Sequence, residues 1–540
     1  MIDVILVKSA KGLFPDKALI DIISKAKTQL NERHLNKPYE LTGIFLSSYN
    51  HQVYREEHEQ ALKKLKSEFE LSLVGGSVVE QLIDSQENKE DSFVLLLLIT
   101  DGHECKIQTG CVRGVLGKDK DIEDNEDNIE DNVVEAFKES RKQLNYKEEK
   151  LCIIFPAFQN NKNLQIESQP NRKGIISYMK QAGLSNKCKI VGGVCTDYWG
   201  NFKRKSGAPQ LQKSYQYVGE KVIQDGMPYL IFTGSHFDFS FGYGCRWENS
   251  PLGKPYPAII SCKESKIDFI NSEEPRKFLA KQNHPFALPK EHKEWSRYVF
   301  RPLKLRYKNS RTFQMVDLLP SKNEDKSINF FGPCPEKKKD TEITVQLTDE
   351  PDITEITQGT DESIEQAIAR TENFSPALVI LFSCCTRNAF LGENDLFNYE
   401  HFAAKKRYRE KYQRDIPILV LYMFAEIGPQ NEGSPTRQNS SSVVTLTIGE
   451  KQSEHDNRYQ LDKNLSDFAV KALGLMLKEL KDSKEPQNRR LPTTWCNDSR
   501  YVEARLIKWL EKELQLDATN TDTNLKPTIT KYLKILKDKA

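Results

Sequence analysis

What this sequence lacks removes several classes of function. No CxxC pair occurs, and 11 cysteines are scattered over 540 residues. A disulfide framework or zinc ribbon is therefore not expected, and reduced thiols suit a cytoplasmic protein. No apolar run approaches the ~20 residues of a membrane span; Phe93 to Ile99 is among the longest clean ones. The N-terminus, Met1-Ile2-Asp3-Val4-Ile5-Leu6-Val7-Lys8, lacks a basic leader and a small-residue cleavage site. It is expected to be a first strand and not a signal peptide. Charge of one sign is absent as well: 79 Lys and Arg face 77 Asp and Glu, a formal net charge of +2. No global field argues for nucleic acid or a membrane surface.

What remains is enough to build cores. Residues of the AVILMFWYC set make up 38% of the chain and charged residues 29%, which excludes wholesale disorder. At roughly 150 residues per domain the length suggests three or four domains.

The chain repeats itself. A helix around Asp16 to Leu30 precedes the strand Leu41 to Ser48, a second helix spans His58 to Phe69, and Val74-Gly75-Gly76 leads to the strand Phe93 to Thr100. The same series returns as a helix at Val133 to Leu144, strand Leu151 to Phe158, helix Gly174 to Ala182, Val191-Gly192-Gly193 and strand Tyr229 to Thr233. Two units, about 1–115 and 133–250, are expected, separated by an acidic insertion at 118–132 that reads as a solvated loop. The insertion has no glycine at the bend an EF-hand needs. The Gly-Gly pairs lack the third glycine of a dinucleotide fingerprint; each is either a bulge or tight turn or a ligand-facing turn.

Further on, Pro257 to Lys263 reads as turn-like, Lys337 to Glu362 as a polar stretch, and Ser363 to Arg370 as helical. Two nearly unbroken apolar runs, Ala377 to Ser383 and Ile416 to Phe424, flank a helix from about Asp395 to Gln413. Strand, helix, strand predicts parallel neighbours with a right-handed crossover. Cys384, Cys385, Arg387 and Glu426 would then share the carboxyl rim where open α/β sheets bind ligands.

These segments carry a resemblance. Phe-Ser-Cys-Cys-Thr-Arg (382–387), Gly392, Ala-Glu-Ile-Gly-Pro (425–429) and Arg437-Gln438-Asn439-Ser440 look like the C-terminal FIST domain. The Val-Gly-Gly strands, Gly-Tyr-Gly-Cys-Arg-Trp (242–247) and Ile260-Ser261-Cys262-Lys263 look like its N-terminal partner. The resemblance implies a sensory, small-ligand-binding module, with amino acids the usual suggestion, found in bacterial signalling proteins and a eukaryotic F-box adaptor. Departures exist: Ala425 stands where the family has glycine, and the Gln438 to Ser441 region replaces a His-Asn-x-Thr stretch. No F-box-like, kinase or cyclase segment is recognisable.

Each candidate residue has a bland alternative. Arg387 and Glu426 could clamp a zwitterion, or pair with each other. Cys384 could line the pocket, or act as a nucleophile with His401 on a solvated helix face as its nearest base, though a buried thiol usually just fills space. Gly192, Gly193 and Arg246 are weaker ligand candidates; Arg246 and Trp247 could instead form a surface cation–π pair. His103, Cys105 and Cys111 lack a fourth ligand, so no metal and no cofactor are expected. The basic, tyrosine-interleaved run Lys405 to Arg414 could meet phosphates, or be a solvated helix.

The expectation is a mixed α/β protein: an N-terminal FIST domain over 1–255, a C-terminal one over 256–483, and a linker with a helical hairpin over 484–540. Its function would be non-enzymatic intracellular sensing of a small ligand, with a signalling protein partner possible through the C-terminal helices. An interaction scaffold without a metabolite, and a cysteine-dependent hydrolase or transferase, are the alternatives.

Overall fold

The architecture comes from a computed structural model. It describes residues 2–10, 12–33, 38–49, 53–83, 91–113, 134–135, 137–139, 149–157, 174–196, 214–258, 260–263, 266–281, 301–307, 313–319, 328–331, 343–371 and 374–451. The acidic insertion and the helical tail lie outside them.

The first unit runs β1 (Ile2–Lys8), α1 (Pro15–Glu32), β2 (Glu40–Ser47), α2 (Arg55–Phe69), β3 (Ser72–Ser77), β4 (Glu80–Leu82) and β5 (Phe93–Thr100). The second runs β6 (Lys106–Arg113), β7 (Glu149–Ile154), α3 (Ile175–Gln181), β8 (Lys189–Gly193), β9 (Gln216–Val218), β10 (Lys221–Ile223) and β11 (Gly226–Thr233). A third begins with β12 (Phe237–Gly244). It is interrupted by β13 (Pro251–Ala258), β14 (Ile260–Lys263), β15 (Lys266–Ile270), α4 (Pro275–Lys281), β16 (Leu303–Tyr307), β17 (Gln314–Leu319), β18 (Ile328–Phe331) and β19 (Ile343–Thr348). It resumes with α5 (Ile353–Ala369), β20 (Phe374–Cys384), α6 (Cys385–Glu393), α7 (Tyr399–Tyr412), β21 (Ile418–Met423), β22 (Glu426–Pro429), β23 (Thr436–Asn439) and β24 (Val443–Lys451).

The repetition is threefold, and it is cyclic. The unit sheets have the orders β1-β5-β2-β3, β6-β11-β7-β8 and β12-β24-β20-β21. In each, two neighbouring strands run parallel (β2 with β3, β7 with β8, β20 with β21) and a third closes antiparallel. The parallel pairing expected of the last two apolar runs is borne out. Each sheet is then extended by strands from another unit. The first receives β9-β10 from the second, the second β22-β23 from the third, and the third β4 from the first. Backbone bonds close the ring where the strand ends meet: Val79 N to Tyr422 O (2.9 Å), Phe424 N to Val194 O (3.0 Å) and Thr196 N to Ser77 O (3.1 Å).

The alternation of strand side chains explains the layers. Leu96, Leu98, Ile153, Leu230, Ile380 and Leu446 point from all three sheets into one shared core. The opposite faces pack on helices: Leu95 and Leu97 against α1 and α2 residues, and Val379 and Leu381 against Ala403 and Ala404. Strands buried on both faces have to be apolar throughout, as these are.

Three expectations need correcting. The stretch 337–362 is not uniformly irregular, because Ile343-Thr344-Val345-Gln346-Leu347-Thr348 alternates and forms β19. Helix α5 starts at Ile353, ten residues before the expected start, because the Asp352 carboxylate caps it by accepting from Thr354 N at 2.8 Å. Pro257 to Lys263 is likewise drawn largely into strands β13 and β14 of an antiparallel seven-stranded sheet with its own core.

Candidate functional site

The glycine pairs serve the backbone. Gly75 and Gly192 sit at equivalent registers opposite Phe45 and Ile154, with φ of +148° and +154°. A Cβ at either would run into the facing carbonyl oxygen, and one on Gly193 would strike Met423 Sδ. Close strand approach accounts for both pairs without a ligand.

Arg387 is fully buried and donates four hydrogen bonds inside the protein. Nε reaches Glu400 Oε1 at 2.9 Å, Nη2 reaches Ile356 O (2.9 Å) and Thr360 Oγ1 (2.6 Å), and Nη1 reaches Cys245 O (3.4 Å). Its ion-pair partner is therefore Glu400 and not Glu426. The reason is local: Arg387 lies on α6, which turns it inward against α5 and α7. Cys384 is buried at the end of β20, its thiol toward Phe424 O at 3.8 Å. His401 lies on α7 but is only 2% exposed, so the solvated face expected for it is wrong.

Arg246 and Trp247 do not form a surface pair. Trp247 is buried edge-on against Phe390, with ring centroids 5.5 Å apart. Arg246 adopts φ +73° and binds the carboxylates of Glu362 and Glu355 on α5. The basic run sorts similarly: Tyr408 is buried and Arg407 pairs with Asp361 and Glu365.

Glu426 is the candidate that the fold places among unusual neighbours. It opens β22, is fully buried, and its Oε2 accepts from Ser442 Oγ (2.6 Å) and Ser442 N (3.3 Å). Its register partner is Asn439, which leads into Ser440, Ser441 and Ser442. That loop is at most 2% exposed, although loops ordinarily run over the surface. Ser441 holds φ +57°, and the Ser440 hydroxyl has no hydrogen-bond partner among the described residues. A strained non-glycine residue beside an orphaned buried hydroxyl is a mark of functional sites.

Further side chains complete the cluster: Tyr243 and Cys245 from the Gly-Tyr-Gly-Cys-Arg-Trp segment, and Gln430, Phe313 and Lys304, which the sequence did not single out. Gln430 Nε2 lies 2.7 Å from Phe313 O, 3.2 Å from Asn439 Oδ1 and 3.4 Å from the Tyr243 hydroxyl. Cys245 Sγ reaches Ser441 O at 3.5 Å. Burial, with the Cys245, Glu248 and Glu426 groups nearby, holds the Tyr243 phenol well above its ordinary pKa, so it stays a neutral donor. Lys304, on the interrupting sheet, stands 5.0 Å over the Phe313 ring. Burial lowers its pKa, while Glu248 opposes that shift. The sequence signals for this cluster were Glu426, the Gly-Tyr-Gly-Cys-Arg-Trp segment and the polar run Arg437 to Ser441; Lys304 lies more than a hundred residues from that run and could not be connected to it.

The cluster thus presents carboxylates, an ammonium, amides and neutral hydroxyls at the junction of β12, β22, β23 and the interrupting sheet. Among the described residues no group of three His, Cys, Asp or Glu side chains is placed to hold a metal ion, and no helix is long and apolar enough to cross a membrane. The chain is similar, at 8% identity and a TM-score of 0.29, to the crystal structure of cyanuric acid hydrolase from A. caulinodans, over 84% of this chain and 100% of that one. No curated protein matches it. Residues 43–260, from within β2 to the first residue of β14, match the family model of the FIST N domain.

Proposed function

We propose that the protein is a non-enzymatic intracellular sensor that binds a small, amino-acid-like ligand at the Glu426–Ser440 cluster, with the third unit acting as a C-terminal FIST domain. The observation that carries this reading is the buried Asn439–Ser442 loop. Its strained Ser441 and unsatisfied Ser440 hydroxyl lower stability unless something uses them. Glu426 would take the ligand's ammonium, Lys304 its carboxylate, and Ser440 and Tyr243 would supply neutral hydrogen bonds. Arg387 would set the frame and not touch the ligand. Ligand binding would favour one packing of the units over another and so alter what the surface presents to a signalling partner.

A thermal-shift panel of free amino acids on the full chain tests this. A stabilising amino acid whose effect disappears in both Glu426→Gln and Lys304→Met supports the reading. No shift with any amino acid at about 100 times a micromolar Kd, where linkage predicts close to 3 kcal/mol of stabilisation, overturns it.

A further inference from the structure

The cyclic exchange of strands implies a second place like the first. β22 begins at Glu426, which pairs with Gly193. β9 begins at Gln216, which pairs with Gly76. Gly76 and Gly193 are equivalent, each being the second residue of a Val-Gly-Gly strand end. Gln216 therefore occupies, at the junction of the first and second units, the register position that Glu426 occupies at the junction of the second and third.

The surroundings of Gln216 are equally buried and equally polar. Gln216 and Ser214 are fully buried, Ser77 is 1% exposed, Thr196 2%, and Cys195 is also buried. Gln216 Nε2 donates to Ser214 Oγ at 2.8 Å, whereas its Oε1 has no hydrogen-bond partner among the described residues. A buried amide oxygen left unmade is costly, and in native proteins such atoms are nearly always occupied by a donor. The chemistry differs from the first site in one respect: every side chain just named is uncharged. Burial also keeps the Cys195 thiol protonated. A charged guest would lose its hydration here with nothing of opposite sign to receive it.

We infer that the Gln216 junction is a second ligand site, which takes an uncharged small molecule presenting an N–H or O–H donor to Gln216 Oε1. Its chemistry is that of a primary amide or a polyol, not of a zwitterion. It stands independently of the function proposed for the Glu426 cluster, because its residues belong to different strands.

Saturation-transfer NMR on the full chain, with acetamide, sodium acetate and acetamidinium chloride as neutral, anionic and cationic probes of one size, tests the site. Acetamide should receive at least fivefold more transfer than either ion. Gln216→Leu should abolish that excess and Glu426→Gln should leave it intact, so failure of one site is distinguishable from failure of the other. Equal transfer to the three probes, or an acetamide signal unchanged in Gln216→Leu, overturns the inference. A wild-type crystal soaked in acetamide decides without any variant. An acetamide nitrogen within hydrogen-bonding distance of Gln216 Oε1 supports the site, and an ordered water alone at that position refutes it.

Discussion

Two buried polar clusters share the end of β12, and they are built on opposite logic. On one side Arg387 ties α5, α6 and α7 together through Glu400, Thr360, Ile356 O and Cys245 O. Charge is matched there by a partner at 2.9 Å, with four donors placed. On the other side, around Glu426 and Tyr243, a hydroxyl is orphaned among the described residues and a serine is held in the left-handed region. The two clusters meet at Cys245, whose carbonyl belongs to the first and whose thiol to the second, and alternation along the end of β12 separates the rest. Gly242 and Gly244 lie against the α5 backbone, while Tyr243 and Cys245 carry the second cluster. A closed polar cluster specifies a fold, whereas an open one is available for binding.

The sharpest way to break that contrast is to remove Arg387. Arg387→Met leaves the Glu400 carboxylate buried without its cation, and loss of about 3–5 kcal/mol is expected. Urea unfolding of the full chain measures it; a loss under 1 kcal/mol would show that Arg387 is not structural. Gly244→Ala comes next. Its Cβ would be driven into the carbonyl of Gly359, an overpacking that costs about 1–3 kcal/mol. It should loosen α5, read as faster amide exchange along that helix, and leave the α1 amides unchanged.

The sequence carried the contrast only partly. Strand cores are continuous apolar runs, so their positions and the parallel pairing of β20 with β21 could be read directly. The Val-Gly-Gly repeats disclosed two units, because the need for close backbone approach leaves a glycine signature. The third unit hides it: Val420 and Leu421 stand where the others have Gly-Gly, and more than a hundred residues interrupt the unit after β12. Arg387 and Glu426 were legible as residues but not as strangers to one another. Which of two carboxylates an arginine meets depends on whether the helix that bears it turns inward. Lys304 was not legible at all, since an inserted sheet reaches a site by folding and not by proximity in sequence.

Ser441→Gly tests whether the open cluster stores strain. Glycine adopts φ +57° without the penalty a serine bears, so stabilisation of up to about 1 kcal/mol is expected. Amino-acid binding, measured as the ligand-induced rise in Tm, should weaken in the same variant, because a relaxed loop no longer presents Ser440 in one position. A destabilised Ser441→Gly would mean that the serine side chain, and not its backbone, matters.

The smallest effect concerns Lys304, and its sign is the informative part. Burial lowers the pKa of this ammonium below its ordinary 10.5. The unfolded chain therefore binds more protons than the folded one between the lowered value and 10.5. Stability rises with pH across that interval, and the penalty of the charged form is fully present below it. Wild-type protein should thus gain stability relative to Lys304→Met as pH is raised from neutral toward 10, as followed by urea midpoints at several pH values. Parallel pH profiles for the two proteins would place Lys304 in effective contact with water and out of the cluster. An anionic group bound beside Lys304 would favour its ammonium and flatten the wild-type profile. The slope therefore reports whether this cluster is open to a ligand or, like that of Arg387, already closed.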